Sequence, residues 1–280
     1  PALLMSRKVA PALLAGNTVV LKPASRTPLA VSILARTLEE AGLPPSVLNV
    51  VTGKGDIVGE AIVRHPGIRK VSFTGNVETG LRVRELAAGS LKEITLELGG
   101  SDPMIVWKDA DIDSAVAGAV RGRFYNAGQT CTAVKRLFVH EAIETEFLRR
   151  LHAAVEALAV GNGLDEGIDM GPLCGTTQRD EIKRVMDDFK RKGEGTILTG
   201  GEPLRGPLFD RGSFFAPTVV TDVHPESALL KKEVFGPVLP VMRVHDLDIA
   251  IEHANETTYG LGASIWTRDI SIAREVFSRV

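Results

Sequence analysis

Cysteine is almost missing from this sequence, with only Cys131 and Cys174 among 280 residues. Two thiols in a chain this long exclude a disulfide framework and point to a reducing compartment, so a cytoplasmic location is expected. No apolar run approaches the roughly 18 residues that a membrane-spanning helix needs. Long basic runs are also missing, and the net charge is only -2. The electrostatic footprint of a nucleic-acid or membrane-surface binder is therefore absent. The six histidines show no ligand spacing, so no metal site is expected. Internal repeats and low-complexity tracts are lacking too. The chain opens Pro1-Ala2-Leu3-Leu4 without an initiator methionine, and residues 271–280 read as a helix with no Gly or Asn stop signal. Both features predict an internal piece of a longer polypeptide. What is present, 44% hydrophobic and 24% charged, suffices for one large or two ordinary globular cores.

The first hundred residues alternate strand and helix patterns. Residues 18–21 read as a strand, and residues 29–41 as a helix with Leu29, Ile33, Leu34, Leu38 and Ala41 on one face, closed by Gly42 and Pro44-Pro45. A strand follows at 47–51, then the glycine-rich 53–59 stretch and a second helix. A strand at 71–73 and a helix over 77–88 complete the series. This order argues for a parallel, doubly wound α/β sheet. A second alternation runs from 101 to 280, with strands at 104–107, 136–139 and 238–244. A helix near 141–159 carries the core stripe Ile143, Phe147, Leu151, Val155 and Leu158. Residues 199–214, rich in Gly, Pro and Arg, read as an exposed loop. The Gly99-Gly100 turn sets the boundary between units 1–99 and 100–280, with a cleft expected between two lobes, where small-molecule sites preferentially lie.

Two residues stand in contexts that carry chemistry. Glu97, in Thr95-Leu96-Glu97-Leu98-Gly99-Gly100, lies on a strand that is expected to carry the acid inward before two glycines turn the chain. A carboxylate so placed pairs with a cation or lines a cleft, unless it simply faces solvent. Cys131 closes the small polar loop Asn126-Ala127-Gly128-Gln129-Thr130-Cys131. Alone, such a cysteine is more often an inert, buried small hydrophobe than a nucleophile. Cys174, in Pro172-Leu173-Cys174-Gly175, reads as structural. Gly53-x-Gly55 with Gly59 is compatible with a dinucleotide turn, though one residue too long for the usual spacing, and equally with a turn that needs glycine. Phe73-Thr74-Gly75-Asn76 is the better phosphate candidate because it opens a helix, whose free N–H groups and positive dipole end favour an anion; Asn76 as a plain N-cap is the alternative.

The whole chain resembles the aldehyde dehydrogenase superfamily. Eight motifs occur in the family's order: Pro11-Ala12-Leu13 with Gly16-Asn17, Leu21-Lys22-Pro23-Ala24, Phe73-Thr74-Gly75, Leu96-Glu97-Leu98-Gly99-Gly100, Gly128-Gln129-Thr130-Cys131, Gly171-Pro172-Leu173, Glu233-Val234-Phe235-Gly236-Pro237-Val238 and Tyr259-Gly260-Leu261. The resemblance implies a two-lobed fold, with 1–99 the C-terminal part of a Rossmann-like cofactor domain and 100–280 an incomplete catalytic domain. A catalytic asparagine just before Pro1, the first cofactor-domain strands, the last active-site strand and an oligomerisation hairpin would then lie outside the chain. It implies Cys131 as nucleophile toward an aldehyde, forming a thiohemiacetal and then a thioester. Glu97 would be the general base for hydrolysis, a role that suits a partly buried carboxylate.

By the same resemblance, NAD or NADP is the cofactor. Lys22 would meet the adenosine ribose and Gly75 and Asn76 the pyrophosphate, while Glu233 and Phe235 would flank the nicotinamide ribose. Asn76 stands where relatives often have serine. Ser25 stands where NAD-preferring relatives often have a glutamate that repels a 2'-phosphate, so NADP use is favoured, with Lys22 and Arg26 supplying positive charge. Lys8 reads as structural. A homodimeric or homotetrameric parent is implied. The segment Cys131-Thr132-Ala133-Val134-Lys135-Arg136 is similar to the non-phosphorylating glyceraldehyde-3-phosphate and succinic semialdehyde branches. Two other readings stand beside hydrolytic aldehyde oxidation: a non-catalytic protein of the same fold, and an acylating enzyme that passes the acyl group to coenzyme A. Retention of both Cys131 and Glu97 argues against the first, and Glu97, the hydrolytic base that acylating relatives tend to lack, argues against the second.

Overall fold

The computed structural model describes all residues, 1–280. Two compact units divide the chain, Pro1–Leu98 and Gly99–Val280. No helix is long and apolar enough to cross a membrane.

The first unit alternates strictly. Its elements are α1 (Ala2–Leu14), β1 (Val19–Leu21), α2 (Pro28–Glu40), β2 (Leu48–Val50), α3 (Glu60–Arg64), β3 (Lys70–Thr74), α4 (Val77–Ala88) and β4 (Glu93–Glu97). β1 pairs with β2 and β3 with β4, both in parallel. Parallel neighbours need a crossover, and α2 and α4 supply them. The sheet of this unit is nevertheless two separate two-stranded pieces. Each packs its own small core, one around Met5, Val9, Val31 and Leu48, the other around Val63, Val71, Val83 and Ala87. The face expected of α2 needs correction. Leu29 and Ile33 are exposed, while Val31 and Ala35 are buried with Leu34 and Leu38 packed beside them. Positions 31, 34, 35 and 38 satisfy the helical period as well as the expected set does, so the period alone could not choose between them.

The second unit contains β5 (Asp102–Val106), α5 (Ile112–Phe124), β6 (Val134–His140), α6 (Glu141–Glu156), α7 (Thr176–Lys192), β7 (Thr196–Thr199), β8 (Thr218–Thr221), α8 (Ala228–Lys231), β9 (Val238–Val244), α9 (Leu247–Asn255), β10 (Ser264–Trp266) and α10 (Ile270–Arg279). One six-stranded sheet runs β10-β5-β6-β9-β8-β7. Along β6, Leu137 and Val139 face a core with Phe147, Leu151, Met186 and Val219, while Phe138 faces a second core with Ile105, Ala250, Ile251 and Val276. Both faces are therefore covered, as in a doubly wound sheet. The α6 stripe is as expected, with Phe147, Leu151 and Val155 buried.

Three features of this unit depart from the sequence reading. The sheet is mixed, because β7 pairs antiparallel with β8. Helical crossovers such as α5 and α9 link the parallel strands, whereas the 200–217 connection has no helix and returns alongside its starting strand. That connection is not simply an exposed loop. Pro203 and Phe215 form an antiparallel bridge, and Gly201, Pro203, Ser213 and Phe214 are buried. The third departure is a bulge between β5 and β6: Asp102 is opposite Val134 and Pro103 is opposite Arg136, so Lys135 is the extra residue. Proline lacks the N–H that a regular ladder uses, and bulges are where sheets tolerate it.

Candidate active site

The loop that bears Cys131 is built from unusual backbone. After α5 the chain makes one tight turn, Tyr125–Gly128, in which Asn126 (φ 52°), Ala127 (φ 53°) and Gly128 (φ 72°) are all left-handed. For residues with a Cβ this costs about 1–2 kcal/mol each. Local hydrogen bonds offset it. Asn126 Nδ2 donates to the Gln129 carbonyl and Gln129 Nε2 donates back to the Asn126 carbonyl, each at 3.0 Å. Gln129 Oε1 also accepts from the Cys174 N–H at 2.7 Å, which ties the loop to the segment before α7. Gly128 has no alternative: a Cβ there would lie 2.3 Å from the Gly236 carbonyl oxygen. Cys131 emerges from this loop half-buried, with no disulfide partner.

Three buried cations fix the surroundings. Arg123, at the end of α5, is fully buried and donates to the carbonyls of Val134, Val234 (2.9 Å) and Gly236. It thereby holds the segment that carries Glu233 and Phe235. Arg136 donates to the Ser101 carbonyl at 3.0 and 2.7 Å, and to the His253 and Ala254 carbonyls at 2.7 and 2.8 Å. The last two are terminal carbonyls of α9, where positive charge suits the helix dipole.

Lys135 lies between these arginines in sequence, and its side chain is 1% exposed. Its ammonium donates to the Thr130 carbonyl (3.1 Å) and the Cys131 carbonyl (2.6 Å), and pairs with Glu233 Oε1 at 3.1 Å. An ammonium has three protons to place, and out of water each needs an acceptor. All three are accounted for. Burial pulls Lys135 below the usual lysine range, while Glu233 pulls it back up.

Glu233 is not the ordinary solvated charge that its neighbours Lys231 and Lys232 imply, since its side chain is only 17% exposed. Besides Lys135, its carboxylate accepts from the Gly100 N–H at 3.3 Å. A Cβ at Gly99 would lie 2.1 Å from Glu233 Oε2, and one at Gly100 would lie 2.8 Å from the Cys131 carbonyl oxygen. The Gly99-Gly100 turn thus brings bare backbone against both groups. Phe235 is half-buried, and its carbonyl accepts from Gln178 Nε2 at 3.1 Å. Asp102 lies nearby with Oδ1 buried and unpartnered, and burial raises its carboxyl to about 6 against the opposing pull of Lys135.

In the first unit, Glu97 ends β4. The expected inward, partly buried carboxylate is corrected here: β4 turns Ile94 and Leu96 toward its core, and by alternation Glu97 is exposed. Its carbonyl accepts from the Gly75 N–H at 3.1 Å. Lys8 on α1 donates to Ser72 Oγ at 2.7 Å, and burial lowers its affinity for a proton while the charge of Glu97 raises it. Asn76 caps α4, its side-chain oxygen accepting from the Thr79 N–H at 2.8 Å. Lys22 Nζ donates to the Pro23 carbonyl (2.8 Å) and reaches the Gly53 carbonyl (3.4 Å), to which Ser25 Oγ also donates at 3.2 Å. Ser25 lines an open cleft of about 220 Å³ with Pro23, Ala24, Pro28, Thr52, Gly53 and Lys54. Gly55–Gly59 forms a π-helical turn leading into α3.

Lys135, Arg123 and Asp102 were not singled out from the sequence. The signal for the first was present: adjacent Lys135 and Arg136 interrupt the otherwise apolar strand pattern of 134–139, and charges enter a central strand only when paired.

An α/β sheet covered on both faces thus carries Cys131 on a strained loop whose Thr130 and Cys131 carbonyls are held by a buried ammonium. The aldehyde dehydrogenase family pattern matches residues 1–280. The chain is 44% identical over 273 residues to betaine aldehyde dehydrogenase of Rhizobium etli, covering 98% of this chain and 55% of that protein. It is also 44% identical over 274 residues to mouse retinaldehyde dehydrogenase 3, covering 98% of this chain and 52% of that one. Among solved structures, betaine aldehyde dehydrogenase from Staphylococcus aureus in complex with NAD+ superposes with a TM-score of 0.96 at 37% identity, over 100% of this chain and 55% of that one. An Escherichia coli NADP-dependent enzyme gives 0.94 at 40% identity, over 99% and 56%. This chain belongs to the aldehyde dehydrogenase family. It spans about half the length of the curated relatives it matches.

Proposed function

We propose that the protein carrying this chain oxidises an aldehyde to a carboxylic acid with NAD or NADP, Cys131 being the nucleophile and Glu97 the base. The observation that carries this reading is the Cys131 loop, whose left-handed backbone and required glycine are costly to maintain unless the thiol must be held in one place. The Cys131 sulfur adds to the aldehyde carbon, and its own backbone N–H is a donor for the resulting oxyanion. Loss of hydride leaves a thioester on Cys131. Glu97, exposed and so accessible to water, takes a proton from the water that hydrolyses it.

The residues present fit a dinucleotide. The cleft beside Ser25 is walled by prolines and backbone, Lys22 stands next to it in sequence, and α4 offers an N-terminus opened by Gly75. Lys22 and Ser25 would hold the adenosine end, Gly75 and Asn76 the pyrophosphate, and Glu233 and Phe235 the nicotinamide ribose. When bound, the cofactor supplies the hydride acceptor. Ser25 leaves room for a 2'-phosphate, which favours NADP. An unpaired nucleophilic thiol suits a reducing cytoplasm. A homodimer or homotetramer is the assembly inferred from the family resemblance.

The test is made in the full-length polypeptide. With an aldehyde and either cofactor, reduced nicotinamide and free acid should form in equal amounts without coenzyme A. Cys131→Ala should abolish both. Glu97→Gln should slow acid release about 100-fold or more, as loss of a general base does. Near-normal turnover by Cys131→Ala would overturn the assignment.

A further inference from the structure

The three acceptors of Lys135 belong to two different parts of the proposed chemistry. Two are the Thr130 and Cys131 carbonyls, on the nucleophile loop, and the third is Glu233, proposed to hold the nicotinamide ribose. Lys135 is also the extra residue of the β5–β6 bulge, between Val134 opposite Asp102 and Arg136 opposite Pro103. Regular alternation along β6 would place consecutive side chains on opposite faces, and a bulge resets that direction locally. The result is a side chain with 1% exposure whose charged end meets the carbonyl of Cys131 at 2.6 Å.

A buried lysine that served packing alone would gain nothing from its charge, since an apolar residue of similar volume is often as stabilising as a buried ion pair. We propose that Lys135 is a positioning residue that couples the nucleophile loop to the cofactor glutamate, one ammonium clamping the Cys131 and Thr130 carbonyls and the Glu233 carboxylate together. This rests on the reading of Cys131 as nucleophile and Glu233 as cofactor contact.

The coupling has a direction. With the Glu233 charge removed, burial lowers the proton affinity of Lys135 further, but while the ammonium keeps its proton on the two loop carbonyls its charge is no longer shared and acts on the Cys131 loop, where a cation favours the thiolate. With Lys135 removed, the loop loses both its clamp and the charge. Each change also costs Glu233 its fixed orientation toward the ribose. The two substitutions should therefore affect the cofactor alike and the thiol oppositely.

The experiment measures alkylation of Cys131 by iodoacetamide, followed by peptide mass spectrometry at neutral pH in the full-length polypeptide. Cofactor KM and kcat are measured in parallel. Lys135→Met should slow alkylation at least fivefold and raise cofactor KM about tenfold, whereas Glu233→Gln should speed alkylation about threefold while raising KM similarly. In the double variant the speeding should vanish, and KM should stay within twofold of that of Lys135→Met, the non-additivity expected of groups in direct contact. Unchanged alkylation in Glu233→Gln would overturn the coupling, and that variant decides the matter even if Lys135→Met fails to fold. Additive effects on KM in the double variant would overturn it too. The alkylation comparison requires no aldehyde turnover. An inactive but alkylatable wild type would therefore fault the functional reading and leave the clamp to stand or fall on its own result.

Discussion

Asp102 shows how one buried carboxyl turns into a pH-dependent property of the whole fold. Its folded-state proton affinity is raised, to about 6 from an ordinary 3.8, chiefly because burial disfavours the charge. Between these values the folded protein holds a proton that the unfolded chain releases. Its stabilising contribution is therefore complete below about pH 4 and is lost as pH rises toward 6. Comparing unfolding of the wild type and Asp102→Asn across that window should show the wild type losing up to about 3 kcal/mol relative to the variant, at ~1.4 kcal/mol per pH unit. A constant difference would mean that Asp102 titrates normally. Ser25 makes a second prediction at this scale. Ser25→Glu should move the ratio of kcat/KM for NADP over NAD toward NAD about fivefold, the equivalent of roughly 1 kcal/mol for an exposed like-charge pair. A strong NAD preference in the unmodified enzyme would contradict the premise.

Among the elements, the turn between α5 and β6 is the most constrained. Gly128→Ala asks for a left-handed alanine and puts a methyl 2.3 Å from the Gly236 carbonyl oxygen, on backbone that Arg123 already fixes. Neither strain can be relieved by rotating a side chain. The variant should be destabilised by at least about 2 kcal/mol, with a lowered Tm and slower alkylation of Cys131. A Tm within a degree of wild type would mean that the loop is more pliable than its contacts imply. β6 makes a related point: its two buried charges, Lys135 and Arg136, direct their hydrogen bonds to backbone carbonyls of neighbouring segments. The central strand is therefore a source of order for the loops at its end as well as part of the core.

Across the whole molecule, the two units differ in how completely they are closed. The second buries a six-stranded sheet on both faces, whereas the first has only strand pairs, each strand with an unpaired edge, and leaves Leu3, Leu14, Leu29, Ile33 and Leu91 exposed. Unpaired edges and apolar surface promote association. Residues 1–280 expressed by themselves should therefore self-associate at micromolar concentration and lack aldehyde oxidation. Light scattering coupled to size exclusion checks the mass; a monodisperse, active monomer would contradict this.

Much of the architecture was legible beforehand because strand and helix periods are properties of neighbouring residues. The alternation through β1 to β4, the α6 stripe and the strands around Cys131 follow from local backbone geometry that any chain obeys. The order of motifs likewise identified Cys131, Glu97 and Glu233 as the residues to examine. The buried face of α2, the antiparallel β7 edge and the exposure of Glu97 were not legible in this way, because each depends on what the rest of the chain lays over it. The pairing of Lys135 with Glu233 is the clearest instance. Each is a charged residue that by itself belongs in water, and only the β5–β6 bulge and the Gly99-Gly100 turn bring them into one dry site where each satisfies the other. Local sequence determined which elements form and which side chains are the candidates for chemistry. Tertiary structure decided which charges lose their water, since burial is a property of distant segments meeting.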